Sequence, residues 1–472
     1  MQLKPIYTEL PDIFYAKSSP KAIKHPELVL YNDKLAQAIG LETQNIDSHS
    51  KANIFCGNHI ITGSIPLALA YSGHQYGYYT KLGDGRAHML GSLQLSDKTY
   101  LDLQLKGSGP TPYSRTGDGL ASLESMLREY IVSEAMYALG IQTTRSLAVV
   151  KTGSRIQEYT EQTAGVLTRI ARSHIRVGSF EYAYSLQDKD KIQALIDYTI
   201  KYNYPELNEA QNKAQALLKA VITNQEDLLV QWMRVGFIHG VMNTDNMSII
   251  GETIDYGPCA FMDNYHPDTV FSFIDKYGRY AYQNQPVIAQ WNLARFAYTL
   301  LDFIDNDKQK AEQIANTMLA GFKVNYIKKY QKMMCDKLGL LECNQKNYAL
   351  VTDLLSLMQD KKKDYTNTFK DLAYDQEFED DEALEKWYLR WQAAIAKTKK
   401  ASFKTMQENN PVIIPRNHQV QKALSACSNG DYSIIQELIN ALSSPYSLRD
   451  ETGEYELAPK QEERVQYTYC GT

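Results

Sequence analysis

The chain has 472 residues, a formal net charge of -5 and an apolar content of 44%, so it is long enough for one large two-lobed core with additions. This balance excludes a strongly basic surface for nucleic acid, and no apolar run has the length of a membrane span. Residues 1–8 lack the pattern of a signal peptide, so we expect a cytoplasmic monomer without nucleic-acid or membrane partners.

A glycine-rich stretch follows the proline-containing segment 1–70, in which a helix is predicted at Asn32–Gly40. The stretch places Gly83, Gly85 and Arg86 just before a predicted strand. Closely spaced glycines let backbone N–H groups approach phosphate oxygens, and an arginine adds a permanently charged, forked donor. These residues are therefore candidates for phosphate binding, although the stretch taken alone also fits a tight hairpin turn.

Two strands are predicted next, at His88–Leu95 and Thr99–Lys106. In the second strand leucines alternate with polar residues, which is the period of a half-buried strand. Lys106 ends this strand on its more polar face, where a kinase-like enzyme carries the lysine that holds the nucleotide phosphates. An exposed lysine at a strand end is the alternative interpretation.

A helix is predicted from Ser122, its N-cap, to Leu139, because apolar residues recur along one face and a glycine follows. Three of its glutamates are candidates for the ion pair that a kinase fold forms with the phosphate lysine: Glu124, Glu129 and Glu134. A solvated helix face is the alternative for each of them.

Further strands are predicted at Arg145–Val150, Arg155–Tyr159 and Gly165–Ile170. Three arginines follow within a short distance, beside a glycine rather than among carboxylates: Arg169, Arg172 and Arg176. Clustered guanidinium groups are typical of anion sites, because their forked donors match phosphate oxygens. A salt-bridge cluster on the surface is the alternative.

The stretch from His239 to Gly257 reads HGVMNTDNMSIIGETIDYG. In it Asn246 and Asp255 stand on either side of a short apolar run, Met247–Ile250, which predicts a buried strand. Oxygen ligands on loops that flank a strand suit a hard cation bridging nucleotide phosphates, as in kinase-like enzymes. A polar loop with turn and capping residues is the alternative.

The same stretch lacks one residue that a kinase needs. When His239 and Asn246 are placed on the kinase H-R-D-x-x-x-x-N loop, the position of the catalytic Asp is held by Val241. A valine cannot accept a proton, and the nearest carboxylate is that of Asp245. The pattern therefore indicates a kinase-shaped core whose chemistry differs from ordinary phosphorylation.

Together these elements predict an α+β chain with a protein-kinase-like two-lobed fold. We expect four segments: an N-terminal extension (1–70), a β-rich N-lobe (71–165), a helical C-lobe with the catalytic and metal loops (166–305) and a helical C-terminal extension (306–472). The remaining predicted helices are Asn208–Val235, Pro286–Ile304 and Asp431–Leu442.

Five ordered motifs also carry a resemblance to a known family, and they cover most of residues 70–300. They are YSGHQYGYYTKLGDGRAHMLG (71–91), LQLKGSGPTPYSRTGDGLASLESMLREYIVSEAM (103–136), RIARSHIRVGSFEY (169–182), HGVMNTDNMSIIGETIDYGPCAFMD (239–263) and QWNLARFAYTL (290–300). In these motifs the chain resembles the selenoprotein O family of protein adenylyltransferases, in its bacterial form, which has a pseudokinase fold.

The resemblance implies transfer of AMP from ATP, bound in the orientation inverse to that in kinases, to Ser, Thr or Tyr hydroxyls of proteins. It implies Asp245 as general base, Asn246 and Asp255 as ligands of Mg²⁺, with Mn²⁺ as the alternative metal, and a pairing of Lys106 with Glu129. The nucleotide contacts that it implies are Gly83, Gly85, Arg86, Lys106, Asp118, Gly119, Glu129, Arg169, Arg176 and Asp255. A reversed triphosphate places its terminal charge deep in the site, where fixed guanidinium groups can compensate it.

Three alternatives remain open at this point. They are transfer of UMP from UTP with Mn²⁺, an atypical protein kinase in which Asp245 is the base, and a non-catalytic nucleotide-binding pseudokinase. The intact Lys106, Asn246 and Asp255 oppose the non-catalytic alternative, and Val241 opposes the kinase.

The six cysteines lack metal-ligand spacing, which fits a reducing compartment better than a disulfide framework. Cys470 occupies the position near the C-terminus where members of the resembled family carry selenocysteine or cysteine. We hypothesise a regulatory disulfide between Cys470 and Cys259, which follows the metal-binding Asp255. The alternative is that Cys259 is a small buried residue.

Overall fold

The computed structural model describes residues 2–157, 161–375, 381–449 and 453–469. Within these ranges the chain is α+β, as predicted, with a central antiparallel sheet and a mainly helical second half. The strands are β1 (Tyr15–Lys17), β2 (Glu27–Tyr31), β3 (Leu67–Leu69), β4 (Ser72–Gln75), β5 (Tyr78–Lys81), β6 (Ala87–Gln94), β7 (Tyr100–Lys106), β8 (Arg145–Gln157), β9 (Glu161–Ala171), β10 (Phe237–Ile238) and β11 (Ala260–Phe261).

The α-helices cover the sheet and build most of the chain after residue 176. They are α1 (Asp33–Ala38), α2 (Ser48–Phe55), α3 (Leu123–Ala138), α4 (Val177–Ser185), α5 (Lys189–Asn203), α6 (Lys213–Val235), α7 (Gln285–Ile304), α8 (Lys308–Lys337), α9 (Gln345–Asp360), α10 (Tyr365–Ala373), α11 (Glu382–Ile395), α12 (Lys399–Asn409), α13 (Asn417–Ser428), α14 (Ser433–Leu442) and α15 (Gly453–Glu456). Within the described ranges, none of these helices combines the length and the apolar character that crossing a membrane requires.

The central sheet has seven strands in the order β1-β3-β6-β7-β9-β8-β2, and their pairing is antiparallel. Its two edge strands, β1 and β2, come from the segment that precedes residue 71. The β4–β5 hairpin and the β10–β11 pair form separate small sheets. The division into four segments stays a prediction.

Strand β7 lies in the middle of the sheet, and this position buries both of its faces. The sequence predicted one exposed face, but Asp102 and Gln104 are buried, as is Leu103 between them. The leucines pack against α1 and α2, whereas the polar face is covered by α3 and by the catalytic loops. Gln104 contacts Asp84 and Arg169, so the polar face is buried with its hydrogen bonds satisfied.

Two predicted strands differ from the structure. The strand predicted at Arg155–Tyr159 is instead the end of β8, whose register shifts between Lys151 and Arg155; Tyr159 lies outside the described residues. The apolar run Met247–Ile250 is buried as predicted, but it forms no ladder there. A single antiparallel bridge joins Ser248 to Arg176, with backbone hydrogen bonds from Val177 to Met247 and from Ile249 to Ile175, so the pairing covers only three residues on each side.

Capping residues set the helix boundaries that the sequence indicated less sharply. The side chain of Ser122 accepts a hydrogen bond from the backbone of Ser125 and begins α3, as predicted. Helix α6 begins at Lys213 rather than at Asn208, because the Asn212 side chain caps it. It ends at Gly236, whose φ of 71° allows the sharp turn into β10 and the catalytic loop.

The C-terminal helices dock onto the loop that follows Asp255 through a buried arginine. Arg416 donates to Asp263 at 3.1 Å and to Asp364 at 2.8 Å, and it is 1% exposed. Asn417, at the start of α13, donates to the carbonyl of Phe261 at 2.8 Å. These contacts hold the segment after the catalytic loops against the helical region.

One cysteine pair corrects the expectation of thiols without disulfides. Cys335, near the end of α8, forms a disulfide with Cys343, and their Cα atoms are 5.8 Å apart. The chain reverses direction after the helix, at Leu338–Leu340, and this turn brings the two residues together. Composition alone did not indicate the pair.

Glu252, in the loop before Asp255, makes the stability of the folded chain depend on pH. Burial raises its pKa to about 8, although the Arg172 backbone donates to its carboxylate at 3.2 Å. The folded chain thus keeps a proton here that the unfolded chain releases near its usual pKa of 4.5. The contribution of Glu252 to the free energy of unfolding is therefore fully present below pH 4.5, and it is lost as the pH rises through about 8.

We therefore expect the free energy of unfolding of the wild type to fall relative to that of Glu252→Gln between about pH 5 and pH 8, by on the order of 4 kcal/mol. The amide has the same shape and does not titrate, so it removes the pH dependence that belongs to this position. Urea denaturation at several pH values measures the difference. Parallel curves for the two proteins would contradict the expected protonation.

Candidate active site

A cavity of about 620 Å³ lies between the polar face of the central sheet, the β4–β5 hairpin and the catalytic loops. All the site residues that the family resemblance implies line it: Gly83, Gly85, Arg86, Lys106, Asp118, Gly119, Glu129, Arg169, Arg176, Asp245, Asn246 and Asp255. These residues come from six separate stretches of the chain. The fold thus gathers them around one space large enough for a nucleotide.

The three candidate glutamates of α3 have different partners. Lys106 Nζ donates to Glu129 Oε2 at 2.6 Å and to Asp255 Oδ1 at 2.8 Å. Glu134 is paired instead with Arg145, and Glu124 lies at a partly exposed position facing α13. Lys106 ends β7 and Glu129 lies in the second turn of α3, so the lysine is held between the carboxylates of Glu129 and Asp255.

Two of the three clustered arginines enter the same buried network. Arg169 donates to Glu129 Oε1 through Nε at 3.1 Å and Nη2 at 2.6 Å, and Nη2 also reaches Asp255 Oδ1 at 2.6 Å. Arg176 Nη1 lies 3.3 Å from Asp255 Oδ2. The two side chains are 1% and 4% exposed, so the alternative of a surface salt-bridge cluster is wrong for them. Arg172 is exposed and does not line the cavity.

Arg176 keeps a hydrogen-bond donor available inside the protein. Its Nη1 donates to the carbonyl of Asp245 at 3.0 Å, and its guanidinium lies over the ring of Tyr71 at 4.6 Å. Its Nε is buried and has no hydrogen-bond partner among the described residues. A buried donor of this kind is costly unless a ligand satisfies it, which fits an anion in the cavity.

The cations dominate the electrostatics of the two network carboxylates. Burial alone would raise the pKa of Asp255, but Arg169, Lys106 and Arg176 outweigh it and hold that pKa well below its usual range. Burial opposes ionisation of Glu129 as well, and Arg169 and Lys106 again bring its pKa below the ordinary value. Both carboxylates are therefore ionised, and the cationic side chains of Lys106, Arg169 and Arg176 surround them.

Asp245 contacts this network only through its backbone carbonyl, which accepts from Arg176. It is buried, and burial raises its pKa to about 6. Its Oδ1 has no hydrogen-bond partner within the described part of the chain, and its Oδ2 lies 3.5 Å from Gln75 Nε2. Val241, which holds the position of the kinase Asp, also lines the cavity. Asp245 thus lines the cavity with a raised pKa and with one carboxylate oxygen that is buried without a hydrogen-bond partner, which suits a group that accepts a proton.

The donor set fits a hard cation that shares its ligands with phosphates. The side-chain amide of Asn246 donates to the carbonyl of Val241 at 3.0 Å, and its oxygen is the group that a cation would use. Across the four described ranges, no three His, Cys, Asp or Glu side chains form a complete metal cage. Asn246 and Asp255 with phosphate oxygens match Mg²⁺, which protein sites hold through few side chains and the substrate.

Two glycines in the loops above the cavity are required by close packing. Gly83 has a φ of 135°, and a Cβ there would lie 2.8 Å from Tyr113 Cδ1. Gly119 has a φ of 70° and touches the backbone of Gly109. The side chain of Asp118, beside it, accepts from the backbone of Leu120 at 2.9 Å. The loop 107–121 therefore lies directly against the glycine-rich turn at residues 83–86.

Sequence reasoning missed several residues that line the cavity. Asp84 is buried, accepts from Gln104 Nε2 at 3.0 Å, and has a pKa raised by burial. Tyr71 and Tyr113 form part of the wall. The only signal for Asp84 was its place between two glycines of a motif, and the alternation of β7 assigned Gln104 to an exposed face.

His239 supports the catalytic loop from behind. It is buried, its Nε2 lies 3.0 Å from the carbonyl of Ile254, and its ring stacks on Trp232. It does not line the cavity. These contacts fix the start of the catalytic loop from its buried side.

The proposed pairing of Cys259 with Cys470 lies partly outside the described residues, because Cys470 is not among them. Cys259 is buried. Thr468 donates through its hydroxyl to the carbonyl of Pro258, and it forms a bridge with Ser272. The end of the described chain thus lies beside the segment that follows Asp255, and the disulfide stays a prediction.

Comparison with known proteins identifies the family. The sequence model of the family "Protein adenylyltransferase SelO" matches residues 1–443. The chain belongs to the SelO family. The resemblance stated from the motifs is thereby confirmed, and so is the prediction of a nucleotidyltransferase.

Bacterial relatives match this SelO-family chain over nearly its whole length. Proteins named "Protein nucleotidyltransferase YdiU" from Bacillus cereus and Anoxybacillus flavithermus are each 48% identical to it, over 99% of this chain and 97% and 98% of their own lengths. The protein of the same name from Alcanivorax borkumensis is also 48% identical, over 99% of this chain and 98% of its own.

Proposed function

We propose that this chain transfers AMP from ATP to Ser, Thr or Tyr hydroxyls of other proteins, with Mg²⁺ as cofactor and a kinase-like two-lobed fold. The observation that carries the proposal is that three cationic side chains are buried in the wall of the cavity. Lys106, Arg169 and Arg176 are buried together around Glu129 and Asp255, and Arg176 keeps an unsatisfied donor, whereas the carboxylate of Asp245 lines the same cavity without an ion pair to these three cations.

This arrangement favours an inverted nucleotide. The terminal phosphates carry most of the charge of ATP, and buried guanidinium groups stabilise that charge better than solvent-exposed groups can. If the γ-phosphate lies with Arg169 and Arg176, the α-phosphate lies nearer to the mouth and to Asp245. A protein hydroxyl that enters the cavity then meets the α-phosphate.

The chain's own residues would perform the reaction as follows. The carboxylate of Asp245 accepts the proton of the acceptor hydroxyl, whose oxygen forms a bond to the α-phosphorus. The bond from the α-phosphorus to the bridging oxygen breaks, and pyrophosphate leaves with its charge held by Lys106, Arg169 and Arg176. Asn246 and Asp255 would hold Mg²⁺, which supplies charge neutralisation on the phosphates when bound.

Both oxygens of Asp255 are already within ion-pairing distance of cations. Binding of a metal there requires a rearrangement in which Lys106 and the arginines turn toward the phosphates. The nucleotide makes this exchange favourable because it offers these cations new anionic partners. We therefore expect metal and nucleotide to bind together, with each strengthening the other.

The relatives are named nucleotidyltransferases, a name that leaves the transferred nucleotide open. The test incubates the purified chain and an acceptor protein with ATP and Mg²⁺, or with UTP and Mn²⁺, and measures the acceptor by mass spectrometry. We expect the mass increment of an adenylyl group, with loss of the product on chelation of the metal. A uridylyl increment at comparable nucleotide concentration would replace AMP by UMP, and a phosphoryl increment would contradict nucleotidyl transfer.

A further inference from the structure

The β4–β5 hairpin lies outside the central sheet and contacts the turn that carries Asp245. Within the described chain its strands form a two-stranded sheet with each other. The backbone N–H of His74 donates to Thr244 Oγ1 at 2.6 Å. The backbone N–H of Tyr76 donates to Asn243 Oδ1 at 3.0 Å. Two residues directly before Asp245 are thus bonded to the hairpin.

Two glycines enclose Asp245 from opposite elements. A Cβ at Gly73, in β4, would lie 2.7 Å from Asp245 Cγ, and one at Gly178, in α4, would lie 3.2 Å from Asp245 Cα. Neither glycine has a left-handed φ, so the backbone conformation does not require glycine at these positions. Glycine is required at both positions because a larger residue would collide with the Asp245 side chain or with the backbone of the hairpin.

The two oxygens of Asp245 differ in their surroundings. Oδ2 faces Gln75 Nε2 at 3.5 Å, and Gln75 lines the same cavity. Oδ1 lies against Gly73 and has no hydrogen-bond partner among residues of the described ranges. A separation of 3.5 Å is long for a hydrogen bond, and contacts of this kind often shorten when substrates bind.

We propose that the β4–β5 hairpin is the positioning element of Asp245, with Gly73 and Gln75 as its two working residues. Gly73 leaves the room that the carboxylate of Asp245 occupies, and Gln75 lies beside Oδ2 and so fixes the rotation of the carboxylate. The inference rests on the proposed function, because it assigns these residues to the base of that reaction.

The hairpin is itself held firmly, as a positioning element must be. Glu181, in α4, lies 2.6 Å from His74 Nδ1 through Oε1 and accepts the hydroxyl of Thr244 through Oε2. Tyr280 donates to Asn243 Oδ1 at 2.6 Å, on the same oxygen that Tyr76 uses. The carboxylate is therefore placed by packed and bonded groups, and a shift of about 1 Å would cost on the order of a hundredfold in rate.

The test compares hairpin variants under saturating ATP and Mg²⁺. We expect Gly73→Ala to lower the rate of transfer about a hundredfold and Gln75→Ala about tenfold, while the affinity for ATP with Mg²⁺ changes by less than about threefold. Gln75→Glu sets a second carboxylate against Asp245 and should fall below Gln75→Ala. Thr80→Ala, on the strand opposite Gly73, is the matched control and should keep the wild-type rate.

Thermal denaturation of each variant shows whether it is folded. If Gly73→Ala does not fold, the rates of Gln75→Ala and Gln75→Glu decide whether the hairpin positions Asp245. Wild-type rates in Gln75→Ala and Gln75→Glu, or in a folded Gly73→Ala, with transfer still lost in Asp245→Asn, would overturn the positioning role and leave the proposed function standing. Equal losses of rate and of ATP affinity would also overturn it, since the hairpin would then have only a general structural role. Transfer that survives Asp245→Asn would overturn the proposed function itself.

Discussion

Asp245→Asn is expected to lower the rate of AMP transfer about a thousandfold and to leave the affinity for ATP with Mg²⁺ nearly unchanged. The amide keeps the size of the side chain, but it cannot accept the proton of the acceptor hydroxyl. The carboxylate makes no ion pair with Lys106 or Arg169, so the phosphate-binding network stays intact in the variant. Single-turnover rates and equilibrium binding of ATP separate the two effects.

Asp255→Asn serves as the contrast for this experiment. Its carboxylate contacts the cations and would hold the metal, so the variant should lose affinity for ATP with Mg²⁺ as well as rate. A rate for Asp245→Asn within tenfold of the wild type would contradict its assignment as general base. The carboxylate would then have a lesser role in orienting the acceptor.

Glu129→Ala is expected to lower the free energy of unfolding by about 3 kcal/mol, because it removes one partner from a buried network. Glu129 is 3% exposed, and its two oxygens receive Lys106 and Arg169. Without it both cations share the single carboxylate of Asp255, and part of their charge stays buried and uncompensated. Alanine is a strong helix former, so the loss does not come from the helix backbone.

Glu124→Ala on the same helix is the matched control, and we expect it to change stability by less than about 0.5 kcal/mol. Glu124 is partly exposed and makes one long contact, with Gln421 at 3.5 Å. Urea denaturation of both variants gives the comparison. Equal stabilities would show that the network contributes nothing net to folding, as some buried ion pairs do.

Local patterns were sufficient for much of the fold and for the members of the site. The alternation along β7 indicated the strand that ends at Lys106, and the apolar stripe and cap indicated α3. The motif that contains Asn246 and Asp255 separates these two oxygen-bearing side chains by a fixed number of residues, and both side chains line the same cavity in the structure. Residues close in sequence could be grouped because their geometry is set by the local backbone.

Contacts between distant segments could not be predicted in this way. The residue pattern alone left three glutamates open as partners of Lys106, and the family resemblance chose Glu129. The packing of α3 on the sheet pairs Glu129 with Lys106, whereas Glu134 pairs with Arg145. Gln75 and Asp245 are separated by 170 positions, so nothing local indicated that the hairpin reaches the catalytic turn. The apolar run after Asn246 predicted a strand because burial and strand pairing give the same pattern in a short segment.

The most direct test of the central claim uses ATP labelled at either the α-phosphate or the γ-phosphate. The purified chain is incubated with Mg²⁺ and a general acceptor protein, and Asp255→Ala provides the blank. The inverted nucleotide predicts that the acceptor gains label from the α-position alone, and that the variant transfers none. Label from the γ-position alone would contradict the account and would make the chain a protein kinase in spite of Val241.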